Sequence, residues 1–297
     1  MKYAPIVIFV YNRLSLTKKT INFLKKNKLI KKSEVYFFSD GPKNNLDNNK
    51  VEEVRKYIRN TNFSKKKKII ESKKNKGLKK NITEGLNYIF KKYTKCIILE
   101  DDICVSKDFL KLMNFYLNLY KLKYNVASIE GYMYPVKFSK NIQSTFFLKG
   151  SGGWGWGTWR RSWKNYTNNR NLLIKKVNKM SKDQLYDFNY NNSYNYYKIL
   201  KTNKNSWAIN WYTINYLKNK YTLFFKHSLV KNVGFGSEST HTRLNYNLNK
   251  NFKINTNKIF IPKKILENKS IKDEISIFLR LKFNYFNKFK QILKNIL

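Results

Sequence analysis

Residues 95–109, KCIILEDDICVSKDF, restrict the fold of this 297-residue chain more than any other segment. A short apolar run rich in β-branched residues, 96–99, ends abruptly at three carboxylates. A run of this kind between two helical patterns is typical of a parallel strand that is buried on both faces of a sheet. The acids would then lie at the carboxyl end of the strand, which is the edge where open α/β sheets bind ligands.

The three acids, Glu100, Asp101 and Asp102, would repel one another unless a cation or a donor-rich ligand compensated their charge. Carboxylate oxygens suit a hard divalent ion, Mg²⁺ or Mn²⁺, which keeps part of its coordination shell free for a diphosphate. A solvated acidic turn that caps the next helix, with Asp102 near its N-terminus, is the alternative. The triplet alone does not decide between the two.

The first half of the chain alternates between strand and helix patterns. This rhythm predicts a doubly wound, mostly parallel α/β sheet with helices on both faces. The second predicted strand ends at a turn that carries Asp40 and Gly41. Strands are predicted at 6–11, 35–38, 68–71, 96–99, 127–130 and 223–225, and helices from about residue 12 and at 51–59, 82–92 and 107–124.

The formal net charge is +43, which would suggest a nucleic acid or an anionic membrane as partner. Only eight of the 61 basic residues are Arg, however, and the Lys residues are spread along the whole chain with many Asn, Ile, Tyr and Phe. A dedicated polyanion site usually concentrates Arg. We therefore interpret most of the Lys as solvated surface, which still attracts nucleotides and lipid head groups at low salt.

Cys96 and Cys104 flank the acidic triplet and are expected to be small buried residues rather than a disulfide. The apolar run at the N-terminus is too short for a signal peptide or a membrane span, and no later run is long enough to span. These observations predict a cytoplasmic protein.

Residues 150–163, GSGGWGWGTWRRSW, contain four of the six Trp residues. Trp between Gly residues gives rigid aromatic walls on a backbone that can approach a ligand closely, which suits stacking on sugar rings. A packed aromatic core under a loop is the alternative. Trp207 and Trp211 are spaced for one face of a helix.

Several segments of the chain, taken in order, resemble GT-A-fold nucleotide-sugar glycosyltransferases. They are residues 9–13, 39–41, 99–102, 150–163 (the Gly-Trp segment), 207–211 and 233–242. The resemblance is closer to bacterial surface-polysaccharide transferases that are distantly similar to N-acetylglucosaminyltransferase I, and it covers residues 5–242. It implies transfer of a sugar, with inversion, from a nucleoside diphosphate, UDP by expectation, to a glycan or lipid-linked acceptor.

The resemblance also implies roles for individual residues. Asp102 would bind Mn²⁺ or Mg²⁺, Asp40 would bind the uracil, and Arg13 would contact the diphosphate. Glu100 and Asp101 would lie near the ribose or the donor sugar. The remaining residues expected to bind the donor are Asn12, Gly41, Gly153, Trp154, Trp156 and His241.

One departure from this family concerns the general base. Where relatives carry an acid in a Trp-Asp segment, this chain has Ala208 in 207–211, WAINW, although an inverting transfer needs a base near the attacking oxygen. Glu238, in a polar Gly-rich loop near His241, is the first candidate, and Glu130, at the end of a strand, is its rival. A helix cap or a solvated loop acid is the alternative for either.

The predicted organisation is a glycosyltransferase domain at 1–245, with a nucleotide-sugar half at 1–125 and an acceptor half at 126–245. A C-terminal extension follows at 246–297. Residues 270–297 have the pattern of a basic amphipathic helix, which would lie on an anionic membrane or pack on the transferase domain or a second subunit.

Two other classes of function compete with this one. The first is a basic RNA- or membrane-binding protein whose aromatic residues stack on bases. The acids at the ligand edge argue against it, and no nucleic-acid partner is expected. The second is a nucleotidyltransferase on a similar sheet, which would need a Gly-rich loop after the first strand, where residues 11–14 contain no Gly.

Overall fold

The computed structural model describes residues 3–139, 141–235, 252 and 259–296, with side chains described as far as residue 282. The strands are β1 Ile6–Val10, β2 Glu34–Ser39, β3 Lys66–Glu71, β4 Lys95–Glu100, β5 Ile103–Val105, β6 Val126–Glu130, β7 Thr145–Lys149, β8 Trp156–Trp159, β9 Tyr221–Phe225 and β10 Val230–Asn232. The helices are α1 Leu14–Lys25, α2 Asn45–Asn60, α3 Leu78–Lys92, α4 Phe109–Leu119, α5 Arg160–Trp163, α6 Arg170–Val177, α7 Lys182–Phe188, α8 Tyr196–Thr202, α9 Trp207–Leu217 and α10 Lys269–Ile296.

Within the described residues, eight strands form one sheet in the order β3-β2-β1-β4-β8-β6-β9-β7. The strands β3, β2, β1 and β4 are parallel, and so are β6 and β9, whereas β8 and β7 run antiparallel to their neighbours. β5 and β10 form a separate antiparallel pair. The predicted mostly parallel α/β sheet is confirmed. The antiparallel β8 was not predicted, because the Gly-Trp segment that forms it was interpreted as a pocket wall.

Both faces of the sheet are covered, as expected for a central strand without polar alternation. Ile6 and Ile8 of β1 point to one face, where they belong to the same core as residues of α1, α2 and α4. Val7 and Phe9 point to the other, where they share a core with residues of α3 and α9. In β4, Cys96 is fully buried, and both cysteines are free, as predicted.

The helix after the acidic triplet is shorter than the predicted range of 107–124. It begins at Phe109 and ends at Leu119. Leu122 and Tyr124 extend the apolar pattern in sequence, but they are 71% and 67% exposed. Since they bury no surface against the core, nothing holds this stretch in the helix.

The C-terminal helix, α10, packs on the body of the protein over its first turns. Ile271, Ile275 and Leu279 are buried in a cluster with residues of β7, among them Phe146 and Leu148. The prediction of a helix is confirmed over residues 270–296, and its first part packs against β7 of the sheet. Among the helices of the described residues, none combines the length and the apolar character that a membrane span requires.

Candidate active site

A cavity of about 830 Å³ opens at the carboxyl edge of the parallel strands. It is lined by residues at the ends of β1, β2 and β4, at the start of α3 and in the segment after β10. Of the residues predicted to form the site, those that line this cavity are Asn12, Arg13, Asp40, Glu100, Asp101, Asp102 and Trp154.

Arg13 supplies the positive charge that the acidic triplet requires. Its Nε donates to Asp101 Oδ2 at 3.2 Å, and its Nη2 donates to Asp101 Oδ1 and, at 3.0 Å, to Asp102 Oδ2. The fork of the guanidinium therefore spans two carboxylates. The adjacency of β1 and β4, which pairs Phe9 with Glu100, brings Arg13 to the triplet.

Burial controls the protonation of this cluster. Burial, together with the charges of Asp102 and Asp101, raises the pKa of Glu100 to about 8. Burial also raises the pKa of Asp101 to about 6, because the attraction of Arg13 offsets it only in part. Burial by itself would lower the pKa of Arg13, but Asp101 and Asp102 raise it above its ordinary value, so Arg13 stays charged.

The backbone of the triplet is held on both sides. Thr20 Oγ1 donates to the carbonyl of Asp101 at 2.8 Å, and the Val233 amide donates to the carbonyl of Asp102 at 2.8 Å. Gly234 lies so close that a Cβ atom on it would be 2.2 Å from Asp102 Oδ2. The segment after β10 is therefore packed directly on Asp102.

The chemistry of Asp102 fits a hard divalent cation. Its carboxylate is 13% exposed and faces the cavity. The described residues contain no group of three or more His, Cys, Asp or Glu side chains that could enclose a metal ion. Mg²⁺ in nucleotide sites needs only one or two protein carboxylates, because phosphate oxygens and water complete its shell.

Asp40 holds the turn that precedes α3. Its Oδ1 accepts from the amides of Gly41 at 2.9 Å and Lys76 at 2.8 Å, and its Oδ2 accepts from the Gly77 amide at 2.9 Å. These three hydrogen bonds give Asp40 a structural role in addition to its predicted contact with uracil. Gly41 is absent from the cavity lining; a Cβ on it would be 2.5 Å from the carbonyl carbon of Lys74, so backbone packing explains this glycine.

Tyr11 and Asn12 meet a residue that the sequence did not single out, Asp47 of α2. The Tyr11 hydroxyl donates to Asp47 Oδ2 at 2.6 Å, and Asn12 Nδ2 donates to Asp47 Oδ1 at 2.8 Å. Burial and this hydrogen bond raise the pKa of Tyr11 to about 12. The contacts fix the segment between β1 and α1 that carries Arg13.

The Gly-Trp segment divides between the cavity and the core. Trp154 lines the cavity and is in edge-to-face contact with Tyr132, at 4.6 Å between ring centroids, and with Phe235, at 5.6 Å. Trp156 is fully buried and stacks on Trp207 at 5.2 Å.

The prediction that Trp156 binds the donor is therefore wrong. β8 pairs with β4 and β6 inside the sheet, so Trp156 joins a core that also contains Trp163 and Trp211. Gly153 is absent from the cavity lining as well, since its backbone packs against the ring of Trp207.

Glu130, the second candidate for the general base, does not lie in the cavity. Glu130 is 1% exposed and is absent from the lining. In this conformation it cannot reach an acceptor hydroxyl, so its assignment as general base is not supported. Glu238 and His241 lie outside the described residues.

Several polar residues of the lining were missed by the sequence analysis. Four of them lie in the turn before α3 or in its first residues, and the others lie in the loops before α2, α6 and α9 and at the end of β10, where no motif marks them. The turn at 75–77, which precedes a helical pattern, was the one available signal. These residues are Lys43, Asn75, Lys76, Lys79, Lys80, Asn168, Asn205 and Asn232.

Comparison with solved structures finds distant likenesses. TarS 1–349 of S. aureus, in complex with UDP-GlcNAc, is 20% identical, with 48% of this chain and 38% of that chain covered and a TM-score of 0.34. The mannosyltransferase PcManGT of Pyrobaculum calidifontis, in complex with GDP-Man and Mn²⁺, is 16% identical, with 43% and 35% covered and a TM-score of 0.31. A UDP-glucose pyrophosphorylase complexed with UDP-glucose is 10% identical, with 75% and 90% covered and a TM-score of 0.37.

In the first two of these matches the chain covers well under half of the other protein's length, and likenesses this weak decide nothing about function. No curated protein matches the chain. The model of one family, described as "Glycosyl transferase family 2", matches residues 6–194, which include β1, the acidic triplet and the Gly-Trp segment. The match covers more than half of the chain, and the protein therefore belongs to glycosyl transferase family 2.

Proposed function

We propose that the protein is a metal-dependent transferase that moves a sugar, with inversion, from a UDP-sugar to a glycan acceptor in cell-surface polysaccharide synthesis. The observation that carries the proposal is the position of Arg13 between Asp101 and Asp102 at the cavity wall. An arginine and a carboxylate that can hold a cation are the groups that stabilise a departing diphosphate. The choice of UDP rests on Asp40 and on the family resemblance.

In this proposal Asp102 holds Mn²⁺ or Mg²⁺, and the ion neutralises charge on the diphosphate. Arg13 lines the cavity beside these carboxylates and would share its guanidinium between them and a phosphate oxygen. Asp40 keeps the turn at 75–77 in place beside the nucleotide. Glu100 and Asp101 line the same cavity and lie near the ribose or the donor sugar in this proposal.

Inversion in one step requires a base that takes the proton of the acceptor hydroxyl. We keep Glu238 as the proposed base, with His241 holding the loop or a phosphate. Glu130 is withdrawn from this role because of its burial.

We also propose the division into a transferase domain at 1–245 and an extension at 246–297. The first turns of α10 are packed on the domain. The later turns have a basic amphipathic sequence, which suits peripheral contact with an anionic membrane that carries a lipid-linked acceptor.

The proposal is tested by incubating the protein with a panel of UDP-, GDP- and dTDP-sugars and Mn²⁺, and measuring release of the nucleoside diphosphate. Slow hydrolysis of one donor, lost in EDTA and in Asp102→Ala, is expected. A parallel reaction with nucleoside triphosphates and sugar 1-phosphates tests for a nucleotidyltransferase. Pyrophosphate release there, without hydrolysis of any nucleotide sugar, would overturn the proposal.

A further inference from the structure

We infer that Glu130 is a positioning residue: its buried carboxylate holds the loop at residues 150–155, the glycine loop, so that Trp154 faces the cavity as the platform for the donor sugar. This inference rests on the proposed function, because it assigns the sugar subsite of the same cavity.

The carboxylate of Glu130 lies inside the glycine loop. Its Oε1 accepts from the Trp154 amide at 3.1 Å, so the bond is made to the residue whose ring lines the cavity. A Cβ on Gly152 would be 2.6 Å from Glu130 Oε2. The loop backbone can therefore close around the carboxylate only because residue 152 has no side chain.

The other contacts of the glycine loop leave it little freedom. Gly150 has a φ of +79°, and a Cβ on it would be 2.2 Å from the ring of Tyr212. The Gly155 carbonyl accepts from the Gly131 amide at 2.8 Å, next to Glu130 in sequence. Both ends of the loop are fixed by packing, and its middle is fixed by Glu130.

The ring of Trp154 is held on the cavity side of the loop. It is half-buried, and it touches Tyr132 and Phe235 in edge-to-face geometry. It shares the cavity with Asp101 and Asp102, the proposed diphosphate end. A half-buried indole close to that end suits the apolar C–H face of a sugar attached to the diphosphate.

Burial of Glu130 excludes direct contact with the reacting atoms but not this indirect role. Burial raises its pKa well above the ordinary value, and the backbone N–H groups of Trp154, Tyr132 and Gly152 offset this only in part. The Trp154 amide donates to its Oε1, and its buried Oε2 has no hydrogen-bond partner among the described residues, so the loop backbone and not a substrate surrounds this carboxyl group.

The test compares affinities for UDP and for UDP-glucose, UDP-galactose, UDP-GlcNAc and UDP-GalNAc, in Mn²⁺, by titration calorimetry. For the wild type we expect one UDP-sugar to bind more tightly than UDP. The ratio of the affinity for that UDP-sugar to the affinity for UDP is the sugar-dependent gain. Trp154→Ala should lower this gain by roughly 5- to 10-fold and leave the affinity for UDP unchanged. Gly152→Ala should have the same effect, because the new methyl group pushes the loop off Glu130.

The variants of Glu130 separate positioning from catalysis. Glu130→Gln keeps an oxygen for the Trp154 amide, so turnover should stay within a few-fold of wild type, whereas loss of a general base lowers it by roughly 10²- to 10⁴-fold. Glu130→Ala should match Trp154→Ala in affinity, and the double variant should be no worse than either, because both act through one ring. Asp183→Ala, at an exposed position on α7 away from the loop, is the control with wild-type affinities.

The outcomes are distinct. A wild type that binds no UDP overturns the proposed function itself. A wild type that binds UDP and a UDP-sugar, with an unchanged sugar-dependent gain in Trp154→Ala and Gly152→Ala, overturns the inference alone. Additive losses in the double variant, with circular dichroism showing each variant folded, overturn it as well.

Discussion

Arg13 Nη2 lies 3.0 Å from Asp102 Oδ2 and also contacts Asp101, across a separation of 88 residues between Arg13 and Asp101 in the chain. One guanidinium thus compensates two carboxylates of the triplet and leaves Asp102 facing the cavity. In the proposed function, the stability of the site and its affinity for phosphate depend on the same group.

Asp102→Ala should abolish turnover and metal-dependent nucleotide binding while leaving the fold intact, because it removes the proposed metal ligand and relieves repulsion between acids. Donor hydrolysis and Mn²⁺-dependent binding of UDP are the measurements. Asp183→Ala, an exposed acid on α7, is the matched control. Full activity in EDTA would rule out the metal role.

Arg13→Met should destabilise the protein, because it leaves Asp101 buried without its cation, and loss of one partner of a buried pair costs about 3–5 kcal/mol. Urea unfolding measures the loss. Arg13→Met combined with Asp101→Asn should recover much of the stability but not the affinity for UDP. Recovery of both would show that Arg13 does not contact the diphosphate.

Glu238→Gln should lower the chemical step by roughly 10²- to 10⁴-fold while donor binding persists, since only the general base is lost. Single-turnover transfer to acceptor, beside a titration with UDP, separates the two quantities. Transfer at the wild-type rate would show that Glu238 is not the base.

In the Glu238→Gln variant, Ala208→Asp should raise the rate of transfer, because it supplies an acid in the segment where the resembling transferases carry one. Ala208 lies in the first turn of α9, where an acid interacts favourably with the helix dipole, and its Cβ would be 3.7 Å from a Cβ on Gly153. Ala208→Asn is the control, since it has a similar size but cannot accept a proton. Equal rates in both variants would contradict the prediction.

Docking of α10 should weaken at low pH. Lys272 is buried and pairs with Asp187 and Glu267. Burial alone would raise the pKa of Asp187, but its hydrogen bonds with Lys272 and Tyr216 lower it below the ordinary value.

A carboxyl group whose pKa is lowered on folding contributes stability above its unfolded pKa, about 3.9, and this contribution is lost as the pH falls through the folded pKa. We expect the melting temperature to fall in that window. Lys272→Met should be less stable than the wild type at pH 7, and its melting temperature should fall less steeply as the pH is lowered. An identical pH profile in both proteins would contradict the assignment.

The local sequence determined the elements around the site. The apolar residues 96–99 are followed at once by acids, and a strand that ends in acids at the ligand edge follows from that order alone. The sequence also predicted that this strand is buried on both faces of the sheet, because its residues do not alternate between apolar and polar.

Only the tertiary structure decided which side chains meet. Trp154 and Trp156 are two residues apart in one motif, yet the pairing of β8 inside the sheet buries the second and leaves the first at the cavity. Glu130 likewise ends a strand at the ligand edge, but the glycine loop closes over it.

The pairing of Arg13 with the acids depends on β1 and β4 being neighbours, and the contact of Lys272 with Asp187 depends on where α10 packs. Local patterns set the backbone of each segment through steric and hydrophobic preferences of neighbouring residues. Contacts between distant segments depend on strand order and on competition for burial, which involve the whole chain at once.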